Sequence, residues 1–64
     1  MPQYMVIYHE FEDWMAKFFD NVEDAVLFFV HMVIGSDEYA EIYVRDEATK
    51  EFKRNKELEK PNAI

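Results

Sequence analysis

Few residues in this chain are equipped for chemistry. His9 and His31 are the only side chains whose ordinary pKa lies near neutrality. There is no cysteine, which excludes thiolate nucleophiles, thiolate metal sites and disulfides. His9 stands beside Glu10, Glu12 and Asp13, a grouping that would suit a metal ion. In a strand, however, His9 and Glu10 point to opposite faces, and carboxylates this dense more often form a solvated edge. Ser36 lacks a G-x-S-x-G elbow, and Gly35 alone cannot build a phosphate-binding loop. Paired carboxylates working as acid and base need a cleft that shifts their pKa values. A chain of 64 residues hardly forms one. The expectation is a protein that is not an enzyme and takes no metal and no cofactor.

Charge remains as a means of recognition. Fourteen acids face seven bases, a formal net charge of −7. The imbalance is concentrated in residues 1–47, where eleven acids meet only Lys17 and Arg45. Residues 48–64 instead hold five bases against Glu51, Glu57 and Glu59. Repulsion disfavours direct contact with nucleic acid or an anionic membrane, and a basic partner is favoured. The acids fall in three clusters: Glu10, Glu12 and Asp13; Asp20, Glu23 and Asp24; and Asp37, Glu38, Glu41, Asp46 and Glu47. Solubility and helix capping would account for such acids in an arbitrary domain. Their density here suggests more, because fixed carboxylates on a rigid scaffold reproduce the charge track of a nucleic-acid backbone.

The size, the absence of cysteine, the acids of FEDW and FDNVEDA and the segment SDEYAEIYVRDE carry a resemblance. In these the chain resembles the small acidic proteins that bacteriophages use against host machinery. Among them it looks most like the DNA-mimic inhibitors, such as a Bacillus-phage HU inhibitor. The likeness is compositional, covers residues 1–47 and carries no residue assignments, and the basic tail departs from it. It implies a basic host DNA-binding protein as partner: a nucleoid protein, polymerase or nuclease.

These groups must be positioned by a small set of elements. Val22–Ile34 is the one stretch with helical apolar spacing, placing Val22, Ala25, Val26, Phe29, Met32 and Val33 on one face. Asn21 can cap it and Gly35 can close it, with Glu23 and Asp24 favouring the positive end of the dipole. Leu27 and Phe28 lie off that face, and either fold over the sheet margins or meet a partner. Gln3–Phe11 reads as a strand, as does Trp14–Phe19, for which a helical turn is the alternative. Tyr39–Arg45 alternates strictly, and Lys50–Arg54 makes a short last strand. The order β-β-α-β-β predicts an α+β fold, an antiparallel sheet of three to four strands with one helix on one face.

Alternation then assigns the sheet's faces. Ala40, Ile42 and Val44 belong under the helix, with Tyr39, Glu41, Tyr43 and Arg45 outside. In the first strand Met5, Ile7 and Phe11 are expected inside, with Tyr4, Val6, Tyr8 and Glu10 outside. In the second, an outward Lys17 takes Met15 and Phe19 with it and leaves Trp14, Ala16 and Phe18 inside. The outer face would then expose Tyr4, Tyr8, Met15, Phe19, Tyr39 and Tyr43, a patch suited to a partner or a homodimer. Residues 1–54 read as one domain and residues 55–64 as a mobile charged tail. No apolar run of roughly 18 residues and no signal-peptide pattern occurs, so a cytoplasmic location is expected.

Overall fold

The computed structural model describes residues 2–60. The fold is α+β. Strands β1 (Tyr4–Glu10) and β2 (Asp13–Phe19) precede helix α1 (Val22–Val30), and β3 (Ala40–Arg45) and β4 (Phe52–Arg54) follow it. The four strands form one antiparallel sheet in the order β2-β1-β3-β4. The molecule is only 17 Å deep along its thinnest axis, room for one sheet and one helix layer. Among the described residues, one face of the sheet therefore has no covering element.

The helix begins where Asn21 caps it, its Oδ1 accepting from the Asp24 amide at 2.9 Å while its Nδ2 donates to the Asp24 carboxylate. Beyond Val30 the chain widens into a π-helical turn, His31–Gly35. Gly35 does not close the helix through a left-handed conformation, because its φ is not positive; Asp37 takes that role at φ 55°.

The hairpin between β1 and β2 turns on Phe11 and Glu12, both at positive φ, a primed two-residue turn built without glycine. Between β3 and β4 the amide of Asp46 donates to Glu51 O and that of Lys50 to Asp46 O. Lys50 sits at φ 65°. Asp46 Oδ1 accepts from the amides of Ala48 and Thr49, which fixes this turn.

The core is small. Val6, Ala25 and Ile42 are wholly buried, joined by Phe29, Met32 and Ala40. Two of the six are alanines, one from the helix and one from β3, which lets the helix lie close to the sheet. Tyr4, Tyr8, Phe19, Val26, Phe28, Val33 and Leu58 pack around this cluster.

The register corrects the expected faces of β1 and β2. Val6 stands opposite Ile42 and Tyr8 opposite Ala40, so Tyr4, Val6 and Tyr8 lie under the helix. Phe19 pairs with Tyr4, Lys17 with Val6 and Met15 with Tyr8, which puts these β2 residues on the helix face as well. Trp14, Ala16 and Phe18 are on the open face, and Phe11 is 87% exposed in the turn. The cause is that both strands are apolar on both faces, so alternation alone does not choose between them. Lys17 misleads because it sits on an edge strand, where its stem can lie over the margin of the core. Its Nζ is 4.9 Å from the centroid of the Phe28 ring. Phe28 itself folds over the sheet margin against Tyr8 and Phe19, whereas Leu27 stays 67% exposed.

Candidate partner-binding surface

Ten of the eleven acids of residues 1–47 sort by position into two poles. At one end of the sheet, Glu10 is paired with Asp13 across the hairpin, and Glu12 occupies its turn. The loop before β3 comes to the same end: the His9 amide donates to Tyr39 O at 3.0 Å, and Glu38 lies 4.0 Å from the His9 ring. Glu10, Glu12, Asp13, Asp37 and Glu38 thus converge from three segments. At the opposite end stand Asp20, Glu23 and Asp24 beside the helix start, with Asp46 and Glu47 following β3. Strands of seven residues separate the poles by about 20 Å.

Not every acid is available to a partner. Asp24 is engaged in the helix cap. Asp46 is bound by the Ala48 and Thr49 amides and lies 3.4 Å from Lys53 Nζ. The Thr49 and Ala48 amides, and then Lys53, hold its carboxyl below the usual range. Glu41 lies mid-sheet rather than at either pole, accepting from the hydroxyls of Tyr39 and Tyr43 and sitting 3.2 Å from Arg54 Nη1. Those hydroxyls, with Arg54, keep the Glu41 carboxyl depressed, and bonding to Glu41 pushes both tyrosines up. Arg54 in turn grips Glu59 through Nε and Nη2 at 2.9 and 2.8 Å, which raises its own pKa. By contrast Glu12, Asp13, Asp20, Glu23, Asp37 and Glu47 are exposed and make no ion pair among the described residues.

The open sheet face carries aromatic residues in two rows. Trp14 packs edge-on to both His9 and Tyr39, with centroids 5.1 and 5.7 Å away. At the other end Phe18 of β2 and Phe52 of β4 meet at 5.9 Å across the two intervening strands. Trp14, Phe18 and Tyr39 remain 60, 52 and 50% exposed. Of the six residues expected on a partner face, Tyr39 and Tyr43 are here; Tyr4, Tyr8, Met15 and Phe19 belong to the helix side.

Residues 55–60, assigned by sequence to a mobile tail, are tied to the sheet. Asn55 donates through its amide to Ile42 O, and its side chain accepts from the amides of Glu57 and Leu58. Residues 61–64 of that expected tail lie outside the described residues. Arg54 and Glu59 carry no motif that marks them in the sequence. The available signal was the turn-forming Asn55 followed by Leu58, the single apolar residue of 55–60.

Among the described residues no three of His, Asp and Glu gather as a metal-binding group, and no helix is long and apolar enough to cross a membrane. No protein-family model, curated protein or solved structure matches the chain.

Proposed function

We propose that this chain is an acidic binding module that inhibits a basic DNA-binding protein by presenting carboxylates where DNA phosphates would sit. The observation that carries the reading is the convergence of Glu10, Glu12, Asp13, Asp37 and Glu38 at one end of a rigid sheet. Glu12, Asp13 and Asp37 there are exposed and outside any ion pair among the described residues, so their field reaches a partner uncompensated. The second pole, through Asp20, Glu23 and Glu47, repeats the charge at the far end. Glu41, Asp46 and Asp24 are excluded as principal contacts because each is occupied within the fold. The target is a nucleoid protein, polymerase or nuclease, met in the cytoplasm. Capture from a bacterial lysate tests the reading: the retained proteins should be basic DNA-binding proteins, released as salt rises. Retention that ignores salt would contradict it.

A second reading has its own observation. Trp14, Phe18 and Tyr39 are each at least half exposed on the open face, as an assembly adaptor would require. Binding through that face would persist in high salt and would be lost on Trp14→Glu.

A further inference from the structure

The two edges of the sheet are finished differently. On the β4 side the ladder is short, and the chain itself takes over where it stops. Asn55 donates to Ile42 O at 2.8 Å, and the Glu59 carboxylate accepts from the Ile42 amide at 2.9 Å. The part of β3 that the three-residue β4 does not reach is thus closed by a side chain standing in for a strand. Among the described residues the β2 edge has no such device. Asp13–Phe18 are all exposed, and the strand contains no proline or glycine and is paired on one side only.

The hydrogen-bonding phase of that edge follows from β1. The His9 amide of β1 donates to Tyr39 O, so odd-numbered β1 residues turn their backbone groups toward β3. Even-numbered residues therefore turn toward β2, bonding to Asp13, Met15, Lys17 and Phe19 in the observed register. The backbone N–H and C=O groups of Trp14, Ala16 and Phe18 are left pointing outward. Such a row is a template for another strand.

We infer that the occupant is a second copy of this chain, paired antiparallel β2 to β2 about a two-fold axis at Ala16. The strand is complementary to itself in that register. On the open face Trp14 meets Phe18 of the second copy, twice, on either side of the small Ala16 pair, giving two cross-strand aromatic contacts. On the helix face Lys17 of one copy stands opposite Met15 of the other and diagonal to its Asp13, again twice. Charge and shape therefore match with no residue altered. The outward amides of all three even-numbered residues find partners, and two four-stranded sheets become one continuous sheet with both helices on the same side. For a domain with so small a core, this also removes exposed aromatic area from water. The inference is independent of the acidic poles and stands whether or not the chain mimics DNA.

Sedimentation of the full chain should report twice 7.8 kDa at micromolar concentration. Ala16→Pro, which deletes the central outward donor of an edge strand, should return the mass to 7.8 kDa with the circular dichroism unchanged. Should that variant unfold, Ala16→Cys decides the question in a chain that has no other cysteine. In this register the paired Cα atoms lie about 5.5 Å apart, within disulfide reach, and mild oxidation should give a covalent dimer. Leu27→Cys, exposed on the helix, should stay uncrosslinked. A monomer at every concentration would overturn the inference. So would a dimer that survives Ala16→Pro, or one that crosslinks through Leu27→Cys and not through Ala16→Cys.

Discussion

The Glu59 carboxylate accepts from the Ile42 amide and from Arg54 Nε, both at 2.9 Å. One side chain from beyond the last strand thereby closes the ladder of β3 and holds the end of β4. Ile42 is wholly buried at the centre of the sheet, and among the described residues its amide has no strand to bond on that side. Glu59→Ala removes the acceptor and should destabilise the protein by about 2 kcal/mol, chiefly through the unsatisfied donor. Glu59→Gln keeps an oxygen in reach and should cost about 1 kcal/mol. Chemical denaturation gives both values, and amide exchange should accelerate at Ile42 and at Asn55 in the alanine variant alone. Fast exchange at Asn55 in the unaltered chain would mean that residues 55–60 do not hold this edge.

Glu41 makes the fold sensitive to pH in a definite direction. The Tyr39 hydroxyl, then the Tyr43 hydroxyl and Arg54, hold its carboxyl below the ordinary 4.5. A depressed folded-state pKa contributes stability that is complete above the ordinary value and lost as pH falls through the folded value. Asp46, depressed from 3.8 by the Thr49 and Ala48 amides, acts in the same sense. The thermal midpoint should be flat near neutrality and fall on acidification below about pH 4.5. Tyr39 and Tyr43 are raised above 10.0 by their bonds to Glu41, so their contribution is complete below that value and fades as pH rises through the raised one. Glu41→Gln should flatten the alkaline limb and reduce the acid one, leaving the part that Asp46 contributes. An unchanged profile in that variant would place the acid sensitivity elsewhere.

Lys50 sits at φ 65° where a hairpin turn closes on Asp46. A side chain in the left-handed region costs about 1 kcal/mol or more, which glycine avoids. Lys50→Gly should therefore raise stability by roughly 0.5–1 kcal/mol after the entropy lost by glycine on folding. A denaturation midpoint that drops would show that the turn depends on the lysine itself.

The element order, the Asn21 cap and the strand faces around Ile42 were legible because each rests on a local signal: apolar spacing, a capping side chain, strict alternation. The faces of β1 and β2 were not. With Met5, Ile7, Trp14 and Phe18 on one side and Tyr4, Val6, Tyr8 and Phe19 on the other, either face could have met the helix. The choice comes from pairing with Ala40 and Ile42, which is a tertiary fact. Lys17 looked decisive and was not, because an edge lysine can lie across aromatic rings. The acidic clusters were legible as composition, but their sorting depended on contacts remote in sequence. Glu41 is withdrawn from the surface charge by Arg54, and Glu38 joins the hairpin pole through His9.

The most direct test of the proposed function is competition with DNA. Fluorescence anisotropy of a labelled duplex bound to an HU-type nucleoid protein, and in parallel to a polymerase and a nuclease, would be followed as the chain is titrated in. The duplex should be released from at least one of them, with potency falling steeply as salt rises, and the chain alone should leave free duplex unaffected. Glu10→Lys combined with Glu38→Lys should weaken release by about tenfold or more while the circular dichroism stays unchanged, since neither residue is in the core. Failure to displace the duplex from any of the three would contradict the account. So would a ternary complex in which duplex and chain bind the same protein independently.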